Sequence, residues 1–218
     1  MGSTRTTGIG TKSRPLTVLF WVILLLGVMD RIGVLTQFAT TYAGIDDALI
    51  WSIATDYAHG IFHEPFMYGQ NYNLMLEALI GAPFMRFLHP WIVLPVVTSV
   101  LALLPFWSAA CWCRREGYLL PALLFLLCPL LLPVEWGMLT SMTRGFVSGL
   151  ALLSFLPWTL RMRSVPLRAF VVTFILSWAA LCSSNALIPG GLFFLWLVWE
   201  ARRSARFWFF SFLGVIPA

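Results

Sequence analysis

Charge is what this chain has least of: Asp, Glu, Lys and Arg make up 11% of its 218 residues, while 60% are hydrophobic. So few charges cannot coat a soluble domain of this size, and with a mean hydropathy of +0.85 the composition belongs in a bilayer. Cysteine is also scarce. The four at Cys111, Cys113, Cys128 and Cys182 fall in apolar runs or at their inner ends, which argues against a disulfide framework and for small packing residues. Cys111-x-Cys113 beside Arg114-Arg115 leaves a lipidation or metal site as the alternative for that pair. Internal repeats, low-complexity segments and a stretch long enough for a large soluble domain are missing too. The length suits about six or seven helices of roughly 20 residues each plus one sizeable loop.

The net charge of +5 raises the question of nucleic acid, but the basic residues form short clusters between apolar runs and make no continuous basic stripe. Membrane topology explains them. With a cytoplasmic N-terminus, Arg5/Lys12/Arg14, Arg114/Arg115, Arg161/Arg163/Arg168 and Arg202/Arg203/Arg206 all fall inside, and only Arg31, Arg86 and Arg144 lie outside or near the outer end. Asp30, Asp46, Asp47, Asp56, Glu64, Glu77, Glu135 and all three histidines then share the outer side.

The expected fold is an all-α, polytopic transmembrane helix bundle in the cell membrane. Residues 1–15 read as a cytoplasmic basic tail, 16–38 as the first span, 39–89 as an extracytoplasmic loop, 90–206 as five further spans and 207–218 as the start of a seventh. The five spans read as 91–112, 118–134, 145–160, 169–186 and 187–199. A run beginning at Phe207 is too short to cross a bilayer core, so this reading expects a fragment, a re-entrant end, or a partner chain supplying further helices. A cleaved signal peptide is the competing reading of the first span, with Thr41-Tyr42-Ala43 as a poor cleavage site, and the membrane sequence that follows favours retention. Within the loop, Leu49, Ile50, Ile53, Ala54 and Tyr57 share one helical stripe opposite Ser52, Thr55 and Asp56, and 73–88 carries a second amphipathic segment. Both are expected to lie on the membrane surface.

That loop holds the chemistry. Asp46-Asp47 at its start, His59-Gly60, Pro65-Phe66-Met67-Tyr68-Gly69-Gln70-Asn71-Tyr72, and Leu76-Glu77-Ala78 with Ala82-Pro83-Phe84 follow an N-in first helix. Together they resemble the first module of polyprenyl-phosphate-sugar-dependent glycosyltransferases of the GT-C superfamily, nearest the bacterial branch related to protein O-mannosyltransferases and aminoarabinose transferases. The resemblance covers most of the chain in layout but only residues 46–84 in motif, with Arg144 as a weaker point of contact. The chain departs from that family by stopping where a seventh helix should run and by lacking the later helices and C-terminal domain of many members.

The resemblance implies a membrane enzyme that moves a sugar from a polyprenyl-phosphate donor to an acceptor hydroxyl at the outer face, with inversion. It places the catalytic acid at Asp46, with Asp47 in reserve, and implies substrate contacts at His59, Tyr68, Gln70, Tyr72, Glu77 and Arg144. A carboxylate there can take the acceptor's proton. The plainer reading of Asp46 is an N-cap for a helix starting at Asp47, and of Asp47 a favourable charge in the first helical turn. Tyr68 and Tyr72 also read as interfacial aromatics flanking a turn, and Arg144 as a snorkelling arginine paired with Glu135. The residues name no definite cofactor. A divalent cation held by Asp46 and Asp47 with Asp56 or Glu64 is compatible with the residue types, whereas His59 and His63, spaced to share one helix face, lack the His-Glu-x-x-His order with Glu64, and Gly60 weakens that helix. The sugar and the acceptor stay open. A non-catalytic membrane scaffold or partner subunit remains an alternative, as does a transporter, which would put more charge inside its spans.

Overall fold

The computed structural model describes residues 14–38, 45–69, 73–131, 145–201 and 204–216. Among them there is no β-strand, only an isolated antiparallel bridge between Phe66 and Leu74, and the fold is an all-α helical bundle. Helix α1, Arg14–Phe38, buries Phe20, Ile23, Gly27 and Arg31, spaced three or four residues apart as one helix face requires. Leu19, Val22, Leu25 and Leu26 on its other faces stay exposed, as a lipid-facing helix would leave them.

Helix α4, Pro90–Arg115, starts with a proline at its first position, where the missing N–H costs nothing, and ends in Arg114-Arg115, which suit the negative end of the helix dipole. Between these two lie α2, Ile45–Ala58, and α3, Leu76–Gly81, followed by a 3-10 turn, Ala82–Arg86. Beyond α4 come α5, Leu119–Leu131, α6, Gly145–Leu153, α7, Leu156–Thr159, α8, Val165–Cys182, α9, Leu187–Ala201, and α10, Ala205–Val215. Ser164 and Ser204 cap α8 and α10, their hydroxyls accepting the N–H groups of Leu167 and Phe207.

The helices pack in a chain of neighbours. α1 lies on α5, α5 on α4, α4 on α6, α6 on α8, and α8 on α9 and α10. Phe20, Ile23, Ala110, Ala122, Leu123 and Leu126 fill one core between α1, α4 and α5. Leu153, Val172, Leu176, Leu197 and Phe207 fill a second around α8. Small residues let these helices approach: a Cβ on Gly214 would overlap the Thr173 hydroxyl and the Phe170 carbonyl, and one on Gly190 would meet Leu176.

Arg14–Gln37, Pro90–Arg115 and Val165–Cys182 are long and apolar enough to cross a membrane, and four shorter apolar helices accompany them among the described residues. The chain is therefore membrane-associated. The run expected at 145–160 breaks between α6 and α7, and residues 132–134 of the run expected at 118–134 lie outside the described residues.

One end of the bundle is basic. Arg114 sits 4.5 Å from the Phe20 ring and 5.0 Å from the Trp21 ring, Arg115 lies over Trp158, and Arg161 bonds Glu116 through Nε at 3.2 Å. At the other end the 60–89 segment folds into a separate layer, pinned where the Leu74 N–H donates to the Leu181 carbonyl at the end of α8, at 2.9 Å. The core of this layer is Ile50, Ile53, Ala54, Tyr57, Met75 and Ala78 against Leu94 of α4. The apolar stripe of α2 forms as the sequence indicates, but protein covers it. Met67, Met75, Ala78 and Ala82 occupy the place assigned to lipid when α2 is read as a helix lying on the membrane surface.

Candidate functional site

Helix α2 organises the polar end. Its described part runs Ile45–Ala58, which puts Asp46 within the helix and not at the capping position of its alternative reading; the Asp46 side chain is outside the described part of the structure. Asp47 is 3% exposed and turns toward the side of α2 that carries Ile50 and Ala54, away from solvent. The helix stops at Gly60, whose φ of +77° a residue with a Cβ adopts at a cost. There the Gly60 N–H donates to the Tyr57 carbonyl and the Ile61 N–H to the Asp56 carbonyl at 2.9 Å, a Schellman closure. This ending separates His59 from His63. His59 is exposed with Nδ1 2.8 Å from the Thr55 carbonyl, and His63 sits edge-on to Tyr68 at 5.7 Å.

After the turn the chain doubles back as a short hairpin. The Met67 N–H donates to Asn73 and the Met75 N–H to Pro65, both at 3.1 Å, and Gly69 and Asn73 take positive φ to make the bend. The bend carries Tyr68 back over α2, where its hydroxyl donates to Asp56 Oδ2 at 2.8 Å. Beside it the Tyr57 hydroxyl donates to the Glu64 carbonyl at 2.7 Å, and Glu64 Oε1 accepts the Gly69 N–H at 3.2 Å. Burial, then the bond and charge of Asp56, push the Tyr68 hydroxyl up to about 12, and burial followed by Glu64 raises Tyr57. Both phenols therefore act as neutral donors at neutral pH.

On the polar side of α2 opens a cleft of about 550 Å³. Trp51, Ser52, Thr55 and Asp56 form one wall, and His89 and Trp91 at the start of α4 form the other. Aromatic faces with a hydroxyl, a carboxylate and an imidazole are the groups that hold a sugar or a phosphorylated head group. The sequence shows Ser52, Thr55 and Asp56 as a polar helical face but gives no reason to place His89 and Trp91 opposite them, because that contact depends on how α4 meets α2.

Of the residues expected at the site, the structure brings Tyr68 to Asp56, Glu64 and His63. Glu77 is fully buried in α3, within electrostatic reach of Cys182. It therefore belongs to the interior of the capping layer and not to the cleft lining. His59 also lies off the cleft lining. Gln70, Tyr72, Arg144 and Glu135 lie outside the described residues. Among the described residues no three His, Cys, Asp or Glu side chains are grouped to hold a metal ion. The combination of Asp47 with Asp56 meets a geometric obstacle, since nine helical steps set them roughly 13.5 Å apart along α2. Compared with known proteins, the chain matches no protein-family model, no curated protein and no solved structure.

Proposed function

We propose that this chain is a membrane-embedded glycosyltransferase module that moves a sugar from a polyprenyl-phosphate donor to an acceptor hydroxyl, with the acidic layer at the outer face of a multi-pass, GT-C-like bundle. One observation carries the reading: an aromatic-lined cleft with Asp56 and His89 in its walls lies where the acidic layer meets the apolar bundle. A lipid-borne head group and a water-borne acceptor can meet only at such a boundary. The basic clusters at the opposite end support an outer position for the cleft, because Arg-rich ends stay cytoplasmic.

The reaction needs a carboxylate to accept the acceptor's proton while the lipid phosphate leaves from the other side of the anomeric carbon. The family resemblance puts that role on Asp46, with Asp47 behind it. Asp56, which lines the cleft, is the competing carboxylate. Asp46→Asn and Asp56→Asn, each assayed for sugar transfer in membranes, separate them. Loss of about 10²-fold or more in Asp46→Asn alone assigns the base to Asp46, and the same loss in Asp56→Asn alone moves it into the cleft. Transfer that survives in both variants and in Asp47→Asn removes all three carboxylates from the role of base, and membranes carrying the unaltered chain that show no transfer above those without it sink the transferase reading.

A further inference from the structure

At the end of the bundle away from the cleft, arginines gather on one corner. Arg115 ends α4 and lays its guanidinium over the Trp158 ring of α7, 5.9 Å from the centroid, and Arg161 in the turn after α7 pairs with Glu116, the residue next to Arg115. Arg163 stands exposed two residues further on, and Arg168 of α8 folds back on the same turn, its Nη2 donating to the Met162 carbonyl at 3.0 Å. The ring beneath Arg115 is fixed. Trp158 Nε1 donates to the Ser108 hydroxyl at 2.8 Å, and that hydroxyl donates to the Ser154 carbonyl at 2.7 Å. Among the described residues the one ion pair at this corner is that of Arg161 with Glu116, which leaves the charges of Arg115 and Arg163 without a carboxylate.

We infer that this corner binds an anionic phospholipid, whose phosphate is met by Arg115 and Arg163. Its level in the bundle selects a lipid. Arg115 is the last residue of a helix long and apolar enough to cross a membrane, and another such helix begins at Val165, so the corner lies where bilayer head groups sit. Its chemistry selects a phosphate. A guanidinium laid on an indole face keeps its edge N–H donors free, and those donors match two phosphate oxygens at once. Because Ser108 and Ser154 hold the indole, Arg115 is ordered before the lipid arrives, and less side-chain freedom is lost on binding. Phe155, three residues before Trp158, and Leu167, beside Arg168, are exposed on the same elements and offer apolar surface to the acyl chains. A free phosphate or an acidic soluble protein would use the charges and leave that surface uncovered. The corner stands opposite the cleft, and its occupancy does not depend on sugar transfer.

The test is native mass spectrometry of the full chain in detergent, titrated with phosphatidylglycerol and separately with phosphatidylcholine of the same acyl chains. Phosphatidylglycerol should bind at least about tenfold more tightly, with an affinity that falls as salt rises. Arg115→Gln and Arg163→Gln should each weaken its binding about fivefold, whereas Arg86→Gln, which removes the same charge at the capped end, should leave it unchanged. Because Arg163 is exposed, its variant decides the matter even if Arg115→Gln fails to fold. Equal affinity for the two lipids, or equal losses in all three variants, would reduce the binding to general attraction and overturn the inference. Displacement of phosphatidylglycerol by inorganic phosphate at equal concentration would overturn it too, since the corner would then take a free anion and not a lipid.

Discussion

Tyr68 shows how much one side chain settles at this site. Its bond to Asp56 ties the hairpin to α2 across twelve residues of chain and fixes a carboxylate that lines the cleft. The phenol's ionisation is raised above its ordinary value of 10.0 to about 12, so the stabilisation it gives is fully present below pH 10 and is lost as pH rises through the folded value. A phenolate absorbance titration of the detergent-solubilised chain should show one group ionising near 12, absent from Tyr68→Phe. That variant should also be destabilised by about 1 kcal/mol, the ordinary net worth of an intramolecular hydrogen bond, here half-buried. Persistence of the high transition in Tyr68→Phe would show that Tyr68 is not the latched phenol.

At the scale of the element, helix ends and helix crossings carry the fold. α2 had to stop before His63 for Tyr68 to turn back over it, and Gly60 makes that stop. The crossing of α10 on α8 depends on Gly214 in the same way, since its missing Cβ is what lets the Phe170 carbonyl and the Thr173 hydroxyl lie against it. Gly214→Leu should lower stability by about 1–3 kcal/mol in thermal unfolding in detergent, the usual cost of overpacking. Gly33→Ala on α1, where an added Cβ meets nothing within 4 Å, should leave stability unchanged or raise it by about 0.5–1 kcal/mol. Equal effects from the two would mean that the α8 and α10 contact is not close.

For the whole molecule, the decisive asymmetry is between a basic end and an acid-bearing end. Arg114, Arg115 and Arg161 hold the first together through rings and Glu116, and the loop layer closes the second. With the arginines held cytoplasmic, a cysteine replacing the exposed Phe62 should react with a membrane-impermeant thiol reagent added outside intact cells. A cysteine replacing the exposed Arg163 should react only after the membrane is opened. The reverse pattern would invert the molecule and remove the cleft from the outer face.

The sequence by itself determined the medium, the helical class and the end at which polar chemistry gathers. These follow from composition and from periodicity within single helices, which are local properties. It also marked Leu49, Ile50, Ile53, Ala54 and Tyr57 as one apolar face of a helix, with the membrane surface as its expected cover. Only the tertiary structure decided what covers that face, because Met75 and Ala78 reach it from the start of α3 and Leu94 from α4. The same holds for the cleft, whose two walls come from α2 and from the start of α4. It holds too for Asp56, which looks in sequence like one more acid on a polar face and becomes a lining carboxylate because His89 and Trp91 stand opposite it, while the hairpin brings Tyr68 to bond it. Periodicity says which side of a helix seeks cover, whereas the angle and depth at which helices meet depend on side-chain volumes summed over several elements, and no single segment contains that information.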